Sequence, residues 1–225
     1  MKLKFILTKY PILDLIYFLY KLSSSINIFS FRYLKYLKKL KKSDTACIVG
    51  CGSSVLKLTK KEWEKIESET DLIGLSYSIH LKKNFTYYMM EGLVKEDDEI
   101  KDYWYKELLV PLTKALKNKI IGHLIIRNYG SLEPFKKCKS KKVINTIHIH
   151  SKFVTELITK LKLEKVFFRF GILPTITGSI SSILILLKLI GYKKIILLGV
   201  DLDNKGYFFS NQKWEGCKLT DTLLI

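Results

Sequence analysis

A chain of 225 residues has room for one sizeable domain with a short appendage, and its core needs neither disulfides nor a structural metal. At 48% hydrophobic residues, with only 4 Pro and 12 Gly, it is not disordered, collagen-like or of low complexity. The formal charge of +18, with an excess that is almost all lysine, points to an anionic partner or to a compositional bias toward Lys and Ile.

That charge is uneven. Residues 1–43 hold ten basic residues and one acid, Asp14, against 29 and 20 in the remaining 182, so half the net charge lies in a fifth of the chain. In this arm Tyr10–Tyr20 (YPILDLIYFLY) puts Pro11 where a helix would start. Phe31–Leu40 (FRYLKYLKKL) sets Leu and aromatic residues three or four apart against Lys, the pattern of an amphipathic helix. Lys9, Asp14 and Lys21 interrupt the apolar run, so it reads as neither a secretory signal nor a span of about 20 uncharged residues. Two readings stand: a helix pair lying on an anionic membrane, peripheral to the cytoplasmic face, or an appendage packed on the domain with its lysines in water.

From Thr45 onward, short apolar runs alternate with helical patterns. Thr45–Gly50 (TACIVG) predicts a buried strand and Gly50–Ser54 (GCGSS) the turn after it. Thr59 and Glu62 form a capping-box pattern opening a helix to about Ser68. Asp71–Leu75, Phe85–Met89, Ile120–Ile126 and Val143–Thr146 predict further strands, and Ser151 opens a helix to about Leu163. The apolar stretch Ile176–Val200 is not a membrane span: Ser179–Ile190 predicts a helix, Gly191 its stop, and Lys194–Leu198 (KIILL) a buried strand. This rhythm implies an α/β fold, a Rossmann-like mostly parallel sheet with helices on both faces, over residues 44–225. Cys47, Cys51, Cys138 and Cys217 form no CxxC, and His148 and His150 have no acid or thiol beside them. Hence no metal or other cofactor is expected, and four scattered cysteines fit a reducing cytoplasm.

In such folds ligands sit at the carboxyl ends of the strands. Three segments there carry candidate chemistry. Gly50, Gly52, Ser53 and Ser54 form a turn whose glycines permit close approach and whose N–H and hydroxyl groups suit a phosphate or ribose, although the turn lacks the third glycine of a dinucleotide fingerprint and the lysine of a P-loop. Thr177, Gly178 and Ser179 precede the apolar helix, where Thr177 can cap it and the turn can hold an anion. Asp201 follows the KIILL strand, where a carboxylate can bind ribose, bind a metal or act in catalysis. The loop VGCGSS also fits an S-adenosylmethionine-dependent methyltransferase, but that family expects an acid at the end of the second strand, where this chain has Ser76.

The order strand–GxGxS–helix early, then ITGS–apolar helix–LGYKKIILLGVDL late, resembles the bacterial lipo-oligosaccharide sialyltransferases of glycosyltransferase family 42 and related surface-polysaccharide proteins. Ile48–Ser54 and Ile176–Tyr207 carry the likeness. The resemblance implies a nucleotide-sugar donor of the CMP-sialic acid type and a lipid-linked saccharide acceptor. It implies that Gly50, Gly52 and Ser54 hold the nucleotide, that Ser76 contacts it, and that Thr177, Gly178 and Ser179 lie near its base and phosphate. By the same likeness Asp201 is the acid after the last strand, and Tyr207 steadies the leaving phosphate without a metal. Cys51 and Ser53 replace the family's Asn and Pro, Met90 stands where an Asn is expected, and Thr175 where an Arg is expected. The family's catalytic histidine falls beyond Ile225, so the expectation is a truncated or inactive member. A non-catalytic, membrane-held α/β protein is the alternative from another class. Nucleic acid ranks lower as a partner, because no basic–aromatic recognition motif accompanies the charge.

Overall fold

The structure, a computed structural model, describes residues 33–91, 105–128, 143–148, 152–169, 172–173 and 179–200. Arm residues 1–32, including the helix expected over Tyr10–Tyr20, lie outside the described residues, as do Thr177, Gly178, Asp201 and Tyr207.

The described elements are α1 (Tyr33–Leu40), β1 (Thr45–Val49), α2 (Lys60–Glu69), β2 (Asp71–Leu75), β3 (Phe85–Glu91), α3 (Val110–Lys117), β4 (Ile121–Asn128), β5 (Val143–His148), α4 (Lys152–Lys160), α5 (Glu164–Arg169), β6 (Ile172–Leu173), α6 (Ser179–Ile190) and β7 (Lys194–Leu198). The strands form one seven-stranded sheet, order β6-β5-β4-β3-β2-β1-β7, with every pairing parallel. The fold is therefore α/β. Central strands of such a sheet are covered on both faces and read as unbroken apolar runs, which is why TACIV and DLIGL lack alternation.

The chain steps in one direction from β1 to β6 and returns past the whole sheet to β7. Connections of one hand then put α2 and α3 on one face and the return helix α6 on the other, where Phe168 of α5 joins it. The packing follows this. Trp63 of α2 and Leu112, Ala115 and Leu116 of α3 join Cys47, Leu72 and Tyr88 in one apolar layer. Ile183, Leu186 and Leu187 of α6 join Ile48, Ile73 and Tyr87 in the other. In α1 Leu37 is fully buried in that second layer, and its carbonyl accepts the Tyr87 hydroxyl at 2.5 Å. Over Tyr33–Leu40 the apolar face of the basic arm thus turns into the domain, leaving Lys35, Lys38 and Lys39 exposed.

Local signals explain several boundaries. The Thr59 hydroxyl accepts the Glu62 N–H at 3.3 Å, and the Glu62 carboxylate accepts the Thr59 N–H at 2.7 Å, completing the capping box. These bonds hold the Glu62 carboxyl below its ordinary range. α6 stops at Gly191, whose φ of +98° is left-handed and whose N–H returns to the Leu187 carbonyl at 3.0 Å. No helix among the described residues is long and apolar enough to cross a membrane. The helix expected over Ser151–Leu163 is α4, which ends at Lys160 before Lys162 turns at φ +54°, and α5, from Glu164, had no sequence expectation. A 3₁₀ turn at Ser53–Lys57, another at Ser76–Leu81, α3 and the two-residue β6 had no sequence expectation.

Gly74 in β2 lies under the ring of Tyr88, its register partner in β3, and an added Cβ would collide with that ring. Tyr88 is fully buried and packs edge-on against Phe85 at 5.3 Å between ring centres, so it has nowhere to move. Gly74→Ala is expected to lower stability by about 1–3 kcal/mol through overpacking, measured as a shift of the urea midpoint at constant m-value.

Candidate functional site at the carboxyl edge of the sheet

The carboxyl ends of β1, β2 and β7 come together because β1 lies between the other two strands. After β1, the Gly50 N–H donates to the Leu198 carbonyl at 2.8 Å and the Gly52 N–H to the Gly199 carbonyl at 2.7 Å. The two strand ends are thus laced backbone to backbone. A Cβ on Gly50 would strike the Gly199 carbonyl oxygen, so the close approach that glycine permits here is to the protein's own chain. Gly199 has φ +61°, and a Cβ there would strike Val55 of the following 3₁₀ turn. Ser53 and Ser54, both half-buried, open that turn and are the polar side chains the loop presents.

After β2 the chain turns at Ser76, a non-glycine residue with φ +46°. Buried hydrogen bonds force this conformation. The Tyr88 hydroxyl donates to the Ser76 carbonyl and accepts the Ile79 N–H at 2.8 Å, while the Ser78 hydroxyl accepts the Leu75 N–H at 2.9 Å. Burial holds the Tyr88 phenol well above its ordinary range, so it stays protonated and able to donate. Strained backbone of this kind persists where its surroundings over-determine it and collects at binding sites. The Cys51 thiol bridges the two ends by donating to the Leu75 carbonyl at 3.5 Å. Burial pushes that thiol up to about 12, partly offset by the Tyr77 and Ser78 backbone N–H groups. It is thus a thiol at neutral pH and not a nucleophile.

At this edge residues 50–54, 76–80 and 199–200 contain no Lys, Arg, Asp or Glu, and Lys57 closes the first turn. His80 ends the second turn, its Nε2 bonded to the Glu107 carbonyl at 2.8 Å and its ring stacked on Tyr77. Among the described residues no three His, Cys, Asp or Glu side chains gather in a way that could hold a metal ion.

Of the expected site residues, the fold brings Gly50, Gly52, Ser53, Ser54 and Ser76 to one edge, beside Gly199. Ser179 stands at the first position of α6. Thr177, Gly178, Asp201 and Tyr207 are not among the described residues. The acid of β2, Asp71, lies at the opposite end of the strand, so none stands at its carboxyl end. Sequence reasoning missed Tyr88, which shapes the Ser76 turn from β3, and no local signal marks it.

No protein-family model matches the chain, and no curated protein matches it. Among solved structures it is similar to a sugar phosphate isomerase/epimerase from Parabacteroides distasonis, at 11% identity over 78% of this chain and 82% of that one, with a TM-score of 0.30. That likeness is too slight to establish a shared fold.

Proposed function

We propose that the domain is a Rossmann-like nucleotide-sugar site of a glycosyltransferase-like protein, peripheral to the cytoplasmic face of the membrane and directed at a lipid-linked, cell-surface saccharide. A donor of the CMP-sialic acid type is the reading the sequence resemblance favours. The observation that supports it is the convergence of the Gly50–Ser54 loop, the strained Ser76 turn and the Gly199–Val200 strand end on one edge of the sheet. The Gly50 and Gly52 amides are used within the protein, so on this reading Ser53, Ser54 and Ser76 bind the nucleotide through their hydroxyls, together with Thr177, Gly178 and Ser179 ahead of α6. Asp201, one peptide bond beyond Val200, and Tyr207 are the proposed catalytic residues, Tyr207 stabilising charge on the departing phosphate. Residues 1–32 of the basic arm are the proposed membrane element, since the apolar face of α1 is taken up by the domain.

Titration calorimetry of the full chain with CMP and a panel of other nucleotides tests the reading; no binding by any nucleotide overturns it. Ser76→Gly removes the hydroxyl while accepting φ +46° without strain. It is expected to weaken nucleotide binding roughly tenfold, the worth of one hydrogen bond, with stability unchanged or raised. Unchanged affinity would exclude Ser76 from the site.

A further inference from the structure

We infer that the opposite, amino edge of the sheet is a docking face for an anionic lipid bilayer. In a parallel sheet every turn that leads into a strand lies on that edge. Ten lysines fall in or beside the turns that lead into β1, β3, β4 and β7, at residues 38–42, 82–83, 117–119 and 193–194. Four acids share the edge, at 44, 67, 69 and 71. Asp44 is held between Lys193 at 2.6 Å and Lys41 at 2.7 Å, Glu67 is paired with Lys83 at 2.8 Å, and Asp71 is buried. Lys42, Lys82, Lys117, Lys119 and Lys194 are exposed. Among the described residues at the carboxyl edge, 50–54, 76–80 and 199–200 carry no Lys, Arg, Asp or Glu.

The backbone adds a second, independent observation. Lys82 (φ +54°) and Lys119 (φ +60°) close the 3₁₀ turn at Ser76–Leu81 and the helix α3 in the left-handed state that glycine enters without steric cost. At both places the chain carries an exposed lysine in a conformation that disfavours it. Cap geometry alone asks for glycine, so the charge needs another reason.

A bilayer suits this face better than nucleic acid. None of the three arginines, Arg32, Arg127 and Arg169, lies in these turns. Lysine is a hydrated point charge fitted to diffuse attraction, whereas reading phosphates and bases favours the planar arginine fork. The inference goes beyond the proposed role of the N-terminal arm and stands apart from the nucleotide chemistry of the other edge.

Sedimentation of the full chain with phosphatidylcholine vesicles containing phosphatidylserine tests it. The edge variant is Lys82→Gly/Lys119→Gly/Lys194→Gln. The control, Lys57→Gln/Lys60→Gln/Lys61→Gln, removes the same charge from exposed positions beyond the opposite edge. The arm is intact in both. At about fivefold per lysine, the edge variant is expected to bind roughly a hundredfold more weakly, and the control to change far less. The edge variant should keep or raise its melting temperature, since two of its changes relieve left-handed backbone. Equal losses in both variants, unchanged binding in both, no vesicle binding by the parent, or tighter binding to RNA than to vesicles at the same salt would each overturn the inference. Calorimetry with nucleotide on the same proteins keeps failure here separate from failure of the carboxyl-edge site.

Discussion

Asp71→Ala is expected to cost about 3–5 kcal/mol of folding stability, because several donors lose one shared acceptor at once. Asp71 is 2% exposed at the first position of β2. Its Oδ2 accepts the Lys42 N–H at 2.8 Å, the Ser43 N–H at 3.1 Å and the Tyr192 hydroxyl at 2.7 Å, and its Oδ1 accepts the Thr86 hydroxyl at 3.3 Å. One side chain thereby joins the approaches to β1 and β7 with β2 and β3. Burial, and then the bond to Asp71, hold the Tyr192 phenol far above its ordinary range, so it remains a donor. Truncation to alanine leaves four donors without their acceptor, the Tyr192 hydroxyl among them in a buried place. Asp71→Asn should cost less, about 1–2 kcal/mol, since its amide oxygen can replace Oδ2 and the Thr86 hydroxyl can reverse to accept from the amide nitrogen. Denaturant titration of both variants checks this. A loss below about 1 kcal/mol for the alanine variant would show that the cluster does not hold the amino edge together.

Parts of the fold were legible because their signals are local. The capping box at Thr59 and Glu62, the glycine stop after Ile190 and the unbroken apolar runs of β1, β2 and β7 give the observed elements nearly to the residue. But β7, expected to be buried, is the sheet's edge strand and at most half-buried, because no described strand pairs beyond it. Elements fixed by distant partners were not. The 3₁₀ turn at Ser76–Leu81 depends on the Tyr88 hydroxyl from β3, and its left-handed turn residue is a serine where a sequence reading looks for glycine. The two-residue β6 is too short to carry a pattern. Strand order was likewise out of reach, and it changes the meaning of the site. Gly50 and Gly52 read as room for a ligand until β7 is known to lie beside β1; then their amides turn out to be bonded to Leu198 and Gly199. Ser76 was found for a sound reason, a polar residue at a strand end, although its strain could not be read from sequence.

The β1–β7 lacing supplies the second large effect. Gly199→Ala is expected to cost about 2–4 kcal/mol, from a left-handed alanine and from overpacking against Val55. Both causes are visible at one atom: φ is +61°, and the added Cβ would meet Val55 Cγ1. A double-mutant cycle separates them. Val55 is 2% exposed, and Val55→Ala alone should cost about 2 kcal/mol as a core truncation. It also removes the methyl that the added Cβ would strike, so the double variant should be more stable than the sum of the single losses by about 1 kcal/mol or more. Additive losses would mean that strain at φ +61°, and not the Val55 contact, accounts for the whole effect. The same cycle reads the site. The Gly199 carbonyl accepts the Gly52 N–H that sets the Gly50–Ser54 loop, so a displaced Gly199 moves Ser53 and Ser54. Nucleotide affinity should fall in Gly199→Ala and be restored in part in the double variant, even though that variant stays less stable than the parent, whereas Ser76→Gly should lose affinity without losing stability. That contrast distinguishes a loop that must be held in shape from a hydroxyl that must be present.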